Sequence, residues 1–412
     1  MLKSLQSNKP FLALCWVTYL AAYLCRMNLS SVLYKLGPAL HIGTESLGVL
    51  GSAFFLAYAV GQLVNGFLGD RIRPVYYLTF AVLATAALNL AIAVSSRYEM
   101  VLLYWTLNGF VQSMFWGPLM RVLSQRFDPS GNIRVGSVMS ASITTGYILS
   151  WSVMGRLLVD SQWQAHFLLP AAAALPVLLA WAALAARERR TALPRQACKP
   201  GLPSLIRQVR AQKLWLVAAA CVFHGLIKES ITLWAPLLLV ETLHIDVKSS
   251  FWFILIIPAA NYGGLLLTSR LARRTPGYVG VLLPALFLVV AVCGVAIYFT
   301  GAHSVLSVVW IALISAMLSG ANCLLLSVIP LSYGGSNIVS SLVGLFDFSS
   351  YLGAAVSSLA LSLALTGGGL KPVALIWLAA AIAATACSAL FIQKRKEGGT
   401  DGTECPQRAC AD

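Results

Sequence analysis

Apolar positions fill this chain in long blocks, and polar positions gather between them. Twelve apolar segments run near 11–33, 46–69, 75–95, 99–126, 134–158, 164–186, 213–241, 249–271, 277–300, 304–329, 337–365 and 371–392. A helix needs ~20 apolar residues, at ~1.5 Å each, to cross ~30 Å of hydrocarbon. Lipid offers no partner to backbone N–H and C=O groups, so such segments must satisfy their own hydrogen bonds as helices. The pattern therefore predicts an all-α polytopic membrane protein with twelve transmembrane helices in two six-helix bundles. One long polar break, 188–212, divides the segments six and six. It holds Arg189, Arg190, Arg195, Lys199, Arg207 and Arg210 with three prolines, and is expected to be a cytoplasmic linker. The bundles then span 1–187 and 213–393. Beyond Gln393 the chain runs through Lys394-Arg395-Lys396 into Gly-rich polar sequence, expected to be a disordered cytoplasmic tail over 394–412.

Composition agrees with the pattern. Of 412 residues 58% are hydrophobic and 10% charged, with mean hydropathy +0.79; soluble domains carry about 25% charged residues. A net charge of +15 could suit nucleic acid, but the placement of the basic residues argues against it. With the N-terminus inside, the inner loops hold Lys3, Lys9, Arg71, Arg73, Arg126, Arg134, the linker cluster, Arg270, Arg273, Arg274 and the tail cluster. The outer loops hold little more than Lys35, Arg97, Lys248 and Lys371. This positive-inside bias puts both termini in the cytoplasm and the chain in the cell membrane. Nine scattered cysteines show neither metal-ligand spacing nor a disulfide framework. No small-residue cleavage site follows a short apolar stretch near the start, so no removable signal peptide is expected. No nucleophile–base pair, metal cluster or phosphate-cradling loop is present either. The expectation is not an enzyme, with no cofactor and no metal, working as a monomer in the lipid bilayer.

The first candidate for chemistry is Arg26, about fifteen residues and ~22 Å into the first helix. A guanidinium at that depth costs ~2.5 kcal/mol or more unless it faces protein or water. Tyr19, Tyr23 and Arg26 are spaced i, i+4, i+7 and share a helical face, which points to part of an anion site; the alternative is an arginine held in a structural ion pair. The seventh segment, first of the second half, carries Lys228 at an equivalent depth from Lys213. The halves echo each other again where segment 2 ends in Gly69-Asp70-Arg71-Ile72-Arg73 and segment 8 in Ser269-Arg270-Leu271-Ala272-Arg273. In carriers built from repeats, substrate sites lie near the midplane at the repeat interface. Two desolvated cations converging there suit a doubly charged anion such as a phosphate ester.

Other segments add polar residues at facing intervals: Tyr58, Gln62 and Asn65; Asn108, Gln112 and Trp116; Ser140, Thr144 and Tyr147; and His224, one turn before Lys228. Any one of these could serve plain interhelical hydrogen bonding, worth under ~1 kcal/mol per pair. The set together describes a cavity. Asp347, about ten residues into segment 11, is expected to pair with a cavity cation or to carry a proton. Glu229 points ~100° from Lys228 on the helix and is expected to pair elsewhere or face water. Arg121 is placed to snorkel. The loop at Asp70 and Arg71 is expected to gate the cytoplasmic side.

Gly66-Phe67-Leu68-Gly69-Asp70-Arg71 and the twelve-helix plan resemble the major facilitator superfamily, although Pro74 and Val75 replace the usual basic end of that motif. Within the superfamily, four stretches resemble the organophosphate:phosphate antiporters, the glycerol-3-phosphate and hexose-phosphate carriers. They are Tyr23-Leu24-Cys25-Arg26-Met27-Asn28, Asn108-Gly109-Phe110-Val111-Gln112, Trp116-Gly117-Pro118 with Arg121, and Gly344-Leu345-Phe346 with Tyr351-Leu352-Gly353. The resemblance implies a phosphate held between an arginine on helix 1, matched by Arg26, and one on helix 7, matched by Lys228. It also implies that Tyr19 and Tyr23 line the site. Lysine keeps the charge but loses the bidentate fork. Further departures are Ile143 for a histidine, Gln62 for a lysine, and Met27, Leu233 and Ile256 for a charged network.

The sequence thus reads as a carrier of a small anionic metabolite by alternating access. Arg26 and Lys228 would hold the anionic head. Tyr19, Tyr23, Gln62, Gln112, Trp116, Tyr147 and His224 would shape the rest. Exchange of an organophosphate for inorganic phosphate is what the resemblance implies. The alternatives are a proton-coupled symporter of a carboxylate or sugar acid, with Asp347 as the proton site, and a membrane sensor that binds without transporting.

Overall fold

The computed structural model describes residues 9–126, 138–139, 141–158, 160–187, 202–242, 255–274, 279–300, 304–331 and 339–398. The described residues are helical and include no strand. In chain order the helices are α1 (Lys9–Leu40), α2 (Thr44–Arg71), α3 (Pro74–Ala93), α4 in two pieces (Tyr98–Gln112 and Trp116–Arg126) and α5, which ends in Ile148–Met154 and Gly155–Leu157. Then come α6 (Ala165–Arg187), α7 (Trp215–Leu237, continued by Leu238–Thr242), α8 (Ile256–Arg274) and α9 (Val279–Thr300). The last are α10 (Ser304–Cys323, continued by Leu324–Val328 and Ile329–Leu331), α11 (Val339–Gly368) and α12 (Leu370–Gly398).

Among the described residues nine helices are long and apolar enough to cross a membrane. The other three match expected spans; α4 is broken, and 134–137, 140 and 249–254 of the α5 and α8 spans lie outside the described residues. Pro118 has no N–H to give and its ring crowds the preceding turn, so α4 breaks at 113–115. In α5 the stretch Ile148–Met154 widens to the i→i+5 pattern. The described part of α8 carries Asn261, Thr268, Ser269, Arg270 and Arg274. Of the expected linker, Leu202–Ala211 is a helix and 188–201 lies outside the described residues. Helix α12 runs past the expected boundary to Gly398, and 399–412 lies outside the described residues.

Contacts sort the helices by halves. In the first, α3 packs on α4 and α6, α2 on α4, and α1 on α6. In the second, α7 packs on α11 and α12, α8 on α10, and α9 on α10 and α12. Helices in lipid gain little by hiding apolar surface and associate where small residues let backbones meet. The α7–α11 contact shows this most sharply. A Cβ on Gly225 would sit 1.9 Å from the Ser350 carbonyl oxygen, and one on Gly353 would sit 1.9 Å from that of Val222. Both obstacles are backbone, which cannot rotate aside. Gly225→Val is expected to cost about 3 kcal/mol by overpacking, read as a lowered Tm of the purified protein.

The halves meet where α1 lies along α7 and α2 along α11. Ser30 Oγ reaches the carbonyls of Thr232 (2.8 Å) and Leu233 (2.7 Å), Ser52 Oγ that of Ala355 (2.6 Å), and Ser358 Oγ that of Gly48 (3.0 Å). These residues lie between Arg26 and the end of the molecule where α1 passes into α2. That end is sealed.

Candidate functional site

The ring spacing read along α1 becomes a continuous aromatic wall. Tyr19 packs 4.9 Å from Trp116 and 5.1 Å from Tyr23, Tyr23 lies 5.7 Å from Tyr147, and Tyr147 lies 5.0 Å from Trp151, centroid to centroid. Two backbone features allow it. The α4 break starts a new helix at Trp116, and the wide turn of α5 begins just after Tyr147. Tilted and edge-on pairs at these separations set ring edges against ring faces.

Arg26 stands at the end of this wall, its side chain 4% exposed. Its guanidinium carbon lies 4.7 Å from the ring centre of Tyr58, 5.2 Å from Tyr351, 5.6 Å from Phe54 and 5.7 Å from Tyr23. Such a box of negative ring faces suits a guanidinium, which is weakly hydrated and polarisable. One terminal nitrogen donates to the Tyr351 hydroxyl at 2.9 Å and lies 3.5 Å from Glu229 Oε2. Arg26 Nε and Glu229 Oε2 have no hydrogen-bond partner among the described residues.

Lys228 donates to Glu229 Oε1, so one carboxylate on α7 joins the cation of its own helix to the cation of α1. This corrects the expectation for Glu229, which is 2% exposed and pairs with the residue beside it. The ~100° between neighbours describes Cα–Cβ vectors; the four-carbon stem of lysine is long enough to fold back across that angle. Lys228 is the accessible member, at 29% exposure, with Tyr147 and Tyr23 within electrostatic reach. Asp347 makes no ion pair among the described residues, but Lys228, Arg26 and Glu229 all act on it electrostatically. It lies four residues before Tyr351, on the same face of α11. Leu233 joins Met27, Ser30, Gly51, Phe54, Phe55, Trp105, Thr232 and Arg26 around a cavity of about 10 Å³. That is room for one water and lies on the sealed side.

Two expected site residues are committed elsewhere. Gln112 Nε2 donates to the Ala22 carbonyl (3.1 Å) and to Thr85 Oγ1 (2.9 Å). It belongs to a buried web in which Asn108 (3.1 Å) and Asn89 (3.3 Å) both donate to the Cys25 carbonyl, and Asn28 donates to Asn89 (2.6 Å). This web grips α1 from behind, opposite the aromatic box, and positions the turn that carries Arg26. Gln112→Ala is expected to cost about 1 kcal/mol, read as a lower Tm with substrate KM nearly unchanged. His224 pairs through Nε2 with the Leu318 carbonyl (3.0 Å) and packs on Phe287, joining α7 to α9 and α10. It shares a helix with Lys228 but points into the second half. Gln62 is half-buried one turn beyond Tyr58. Ser140 and the side chains of Asp70, Arg71 and Arg121 lie outside the described residues. Sequence reasoning gave no role to Phe54 or Tyr351; a ring four residues after Asp347, half-buried in α11, was the available signal.

The profile of the Major Facilitator Superfamily matches residues 15–358, from α1 through most of α11. The chain belongs to the Major Facilitator Superfamily. Superfamily members are transporters rather than enzymes, and the chain is accordingly a multi-pass membrane protein. It is 24% identical over 323 residues, 70% of each chain, to a probable hexose phosphate transport protein of Chlamydia pneumoniae. It is also 24% identical over 369 residues to the phosphoglycerate transporter protein of Salmonella typhimurium, covering 81% of this chain and 78% of that one. Among solved structures, the nucleoside transporter NupG superposes with a TM-score of 0.71 at 13% identity, over 93% of this chain and 99% of that one. This likeness concerns the superfamily fold alone.

Proposed function

We propose that this superfamily member carries a small organic anion by alternating access, exchanging a phosphorylated metabolite for inorganic phosphate. The observation that carries the reading is the meeting of Arg26, from the first half, with the Lys228–Glu229 pair, from the second. A site built from both halves is exposed to each side in turn when they rock. Two cations of different chemistry divide the work. Arg26 offers a planar fork in a dry aromatic box, and Lys228 a mobile point charge in a more open position. The relatives named for hexose phosphate and phosphoglycerate support a phosphate ester as cargo. With the basic loops inside, as the charge pattern expects, the sealed end is the outer one. The anion then enters from the cytoplasmic side and meets Lys228 first. Residues 1–187 and 213–393 act as the rocking bundles, and the chain works as a monomer.

A second reading rests on the two carboxylates, Glu229 and Asp347, beside the cations. They would let a proton-coupled symporter of a sugar acid load and release a proton. Proteoliposomes loaded with labelled inorganic phosphate separate the two. Exit stimulated by external glucose 6-phosphate or glycerol 3-phosphate is expected. Sugar-acid uptake driven by a proton gradient, without phosphate movement, would transfer the reading to symport.

A further inference from the structure

We propose that Glu229 is a built-in competitor for the substrate: it occupies Arg26 when the carrier is empty, and an anion must displace it to bind. The inference rests on the anion-site reading of Arg26 and Lys228 and assigns the carboxylate between them a role.

The two ends of Glu229 are held unequally. Oε1 accepts from Lys228, its chain neighbour, so that pair travels with α7 whatever the halves do. Oε2 lies 3.5 Å from the Arg26 nitrogen and has no hydrogen-bond partner among the described residues. Charge-assisted contacts between these groups normally close to about 2.7–2.9 Å. Arg26 in turn gives one terminal nitrogen to Tyr351, and its Nε meets no acceptor among the described residues, so within them its fork is not engaged in the bidentate manner carboxylates and phosphates favour. The Arg26–Glu229 contact is therefore a neutralising contact of modest quality, surrounded by unused hydrogen-bonding capacity.

That arrangement has two consequences. Without Glu229 the empty site would hold two neighbouring cations, Arg26 in a desolvated space, a state costly to form and to carry through reorientation. With Glu229 in place, an incoming anion must outbid a carboxylate that is permanently at hand. A dianion with three terminal oxygens, such as a phosphate ester, can take the fork of Arg26 and share Lys228. A monocarboxylate only exchanges one carboxylate for another. Glu229 thus sets a threshold that selects dianionic phosphate over monoanionic acids. It also spans the two halves in the empty state, so displacing it removes one tie between them.

The test is equilibrium binding of three probes, inorganic phosphate, glucose 6-phosphate and gluconate, to purified wild type, Glu229→Gln and Glu229→Asp. Glu229→Gln is expected to bind phosphate about fivefold tighter or more, since the competitor is gone while both cations remain. Gluconate is expected to gain by a larger factor, narrowing the selectivity. Glu229→Asp keeps the charge for Lys228 but draws back from Arg26, and is expected to tighten binding less; it decides the matter if the glutamine variant does not insert. Unchanged or weaker binding in the variants, with only a lowered Tm, would overturn the proposal. A wild type that binds none of the probes would instead defeat the anion-site reading itself.

Discussion

Arg26→Gln is expected to abolish transport, lowering uptake about 100-fold or more, while leaving the protein inserted and folded. Arg26 carries the only fork-shaped donor among the site residues described, and its ring box holds it at 4% exposure, where charge is hardly screened. Glutamine keeps hydrogen-bonding capacity toward Tyr351 and fills much of the same space. Glu229 keeps Lys228 as its partner, so the substitution does not strand a buried carboxylate. The loss therefore falls on function more than on stability. Uptake into proteoliposomes of matched protein content, with Tm as the folding control, checks it. Near-normal uptake by a folded Arg26→Gln carrier would remove Arg26 from the site.

Gly48→Val is expected to reduce transport tenfold or more for a different reason, roughly the scale of a 1–3 kcal/mol packing conflict. A Cβ on Gly48 would lie 2.2 Å from Ser362 Oγ, 2.5 Å from Ser362 Cβ and 3.0 Å from the Ser358 carbonyl oxygen, and the Gly48 carbonyl accepts from Ser358 Oγ. These contacts cross between α2 and α11, so the added bulk opposes closure of the sealed end without invading the packing inside either half. The carrier should favour the state open at that end. A cysteine at Ser52, which now bonds to the Ala355 carbonyl, should label faster with an aqueous thiol reagent in the Gly48→Val background. Unchanged labelling with lost transport would show that the glycine matters for folding instead of closure.

The helices were legible because lipid leaves the backbone one solution, and a run of twenty apolar residues announces it. What the runs hid was local or distant. The break of α4 follows from Pro118, but a span drawn over 99–126 on apolarity alone passes through it. Tyr19 and Tyr23 share a face by helix geometry, so their place beside Arg26 needed no knowledge of neighbours. Gln112 and His224 have the same polar signature as a cavity residue. Only the carbonyls of Ala22 and Leu318, presented by other helices, distinguish an interhelical tie from a substrate contact. Glu229 was misplaced because a helical wheel treats side chains as fixed radial vectors. The part-buried pair it forms with Lys228, and the reach of Arg26 from α1, depend on side-chain length and on how closely two helices from opposite halves approach.

The measurement that tests the central claim most directly is binding of glucose 6-phosphate to purified wild type, Arg26→Gln and Lys228→Gln. Saturable binding by wild type is expected, weakened about tenfold or more by each substitution, with inorganic phosphate competing for the same site. Binding of equal strength in all three folded proteins would contradict an anion site shared between α1 and α7.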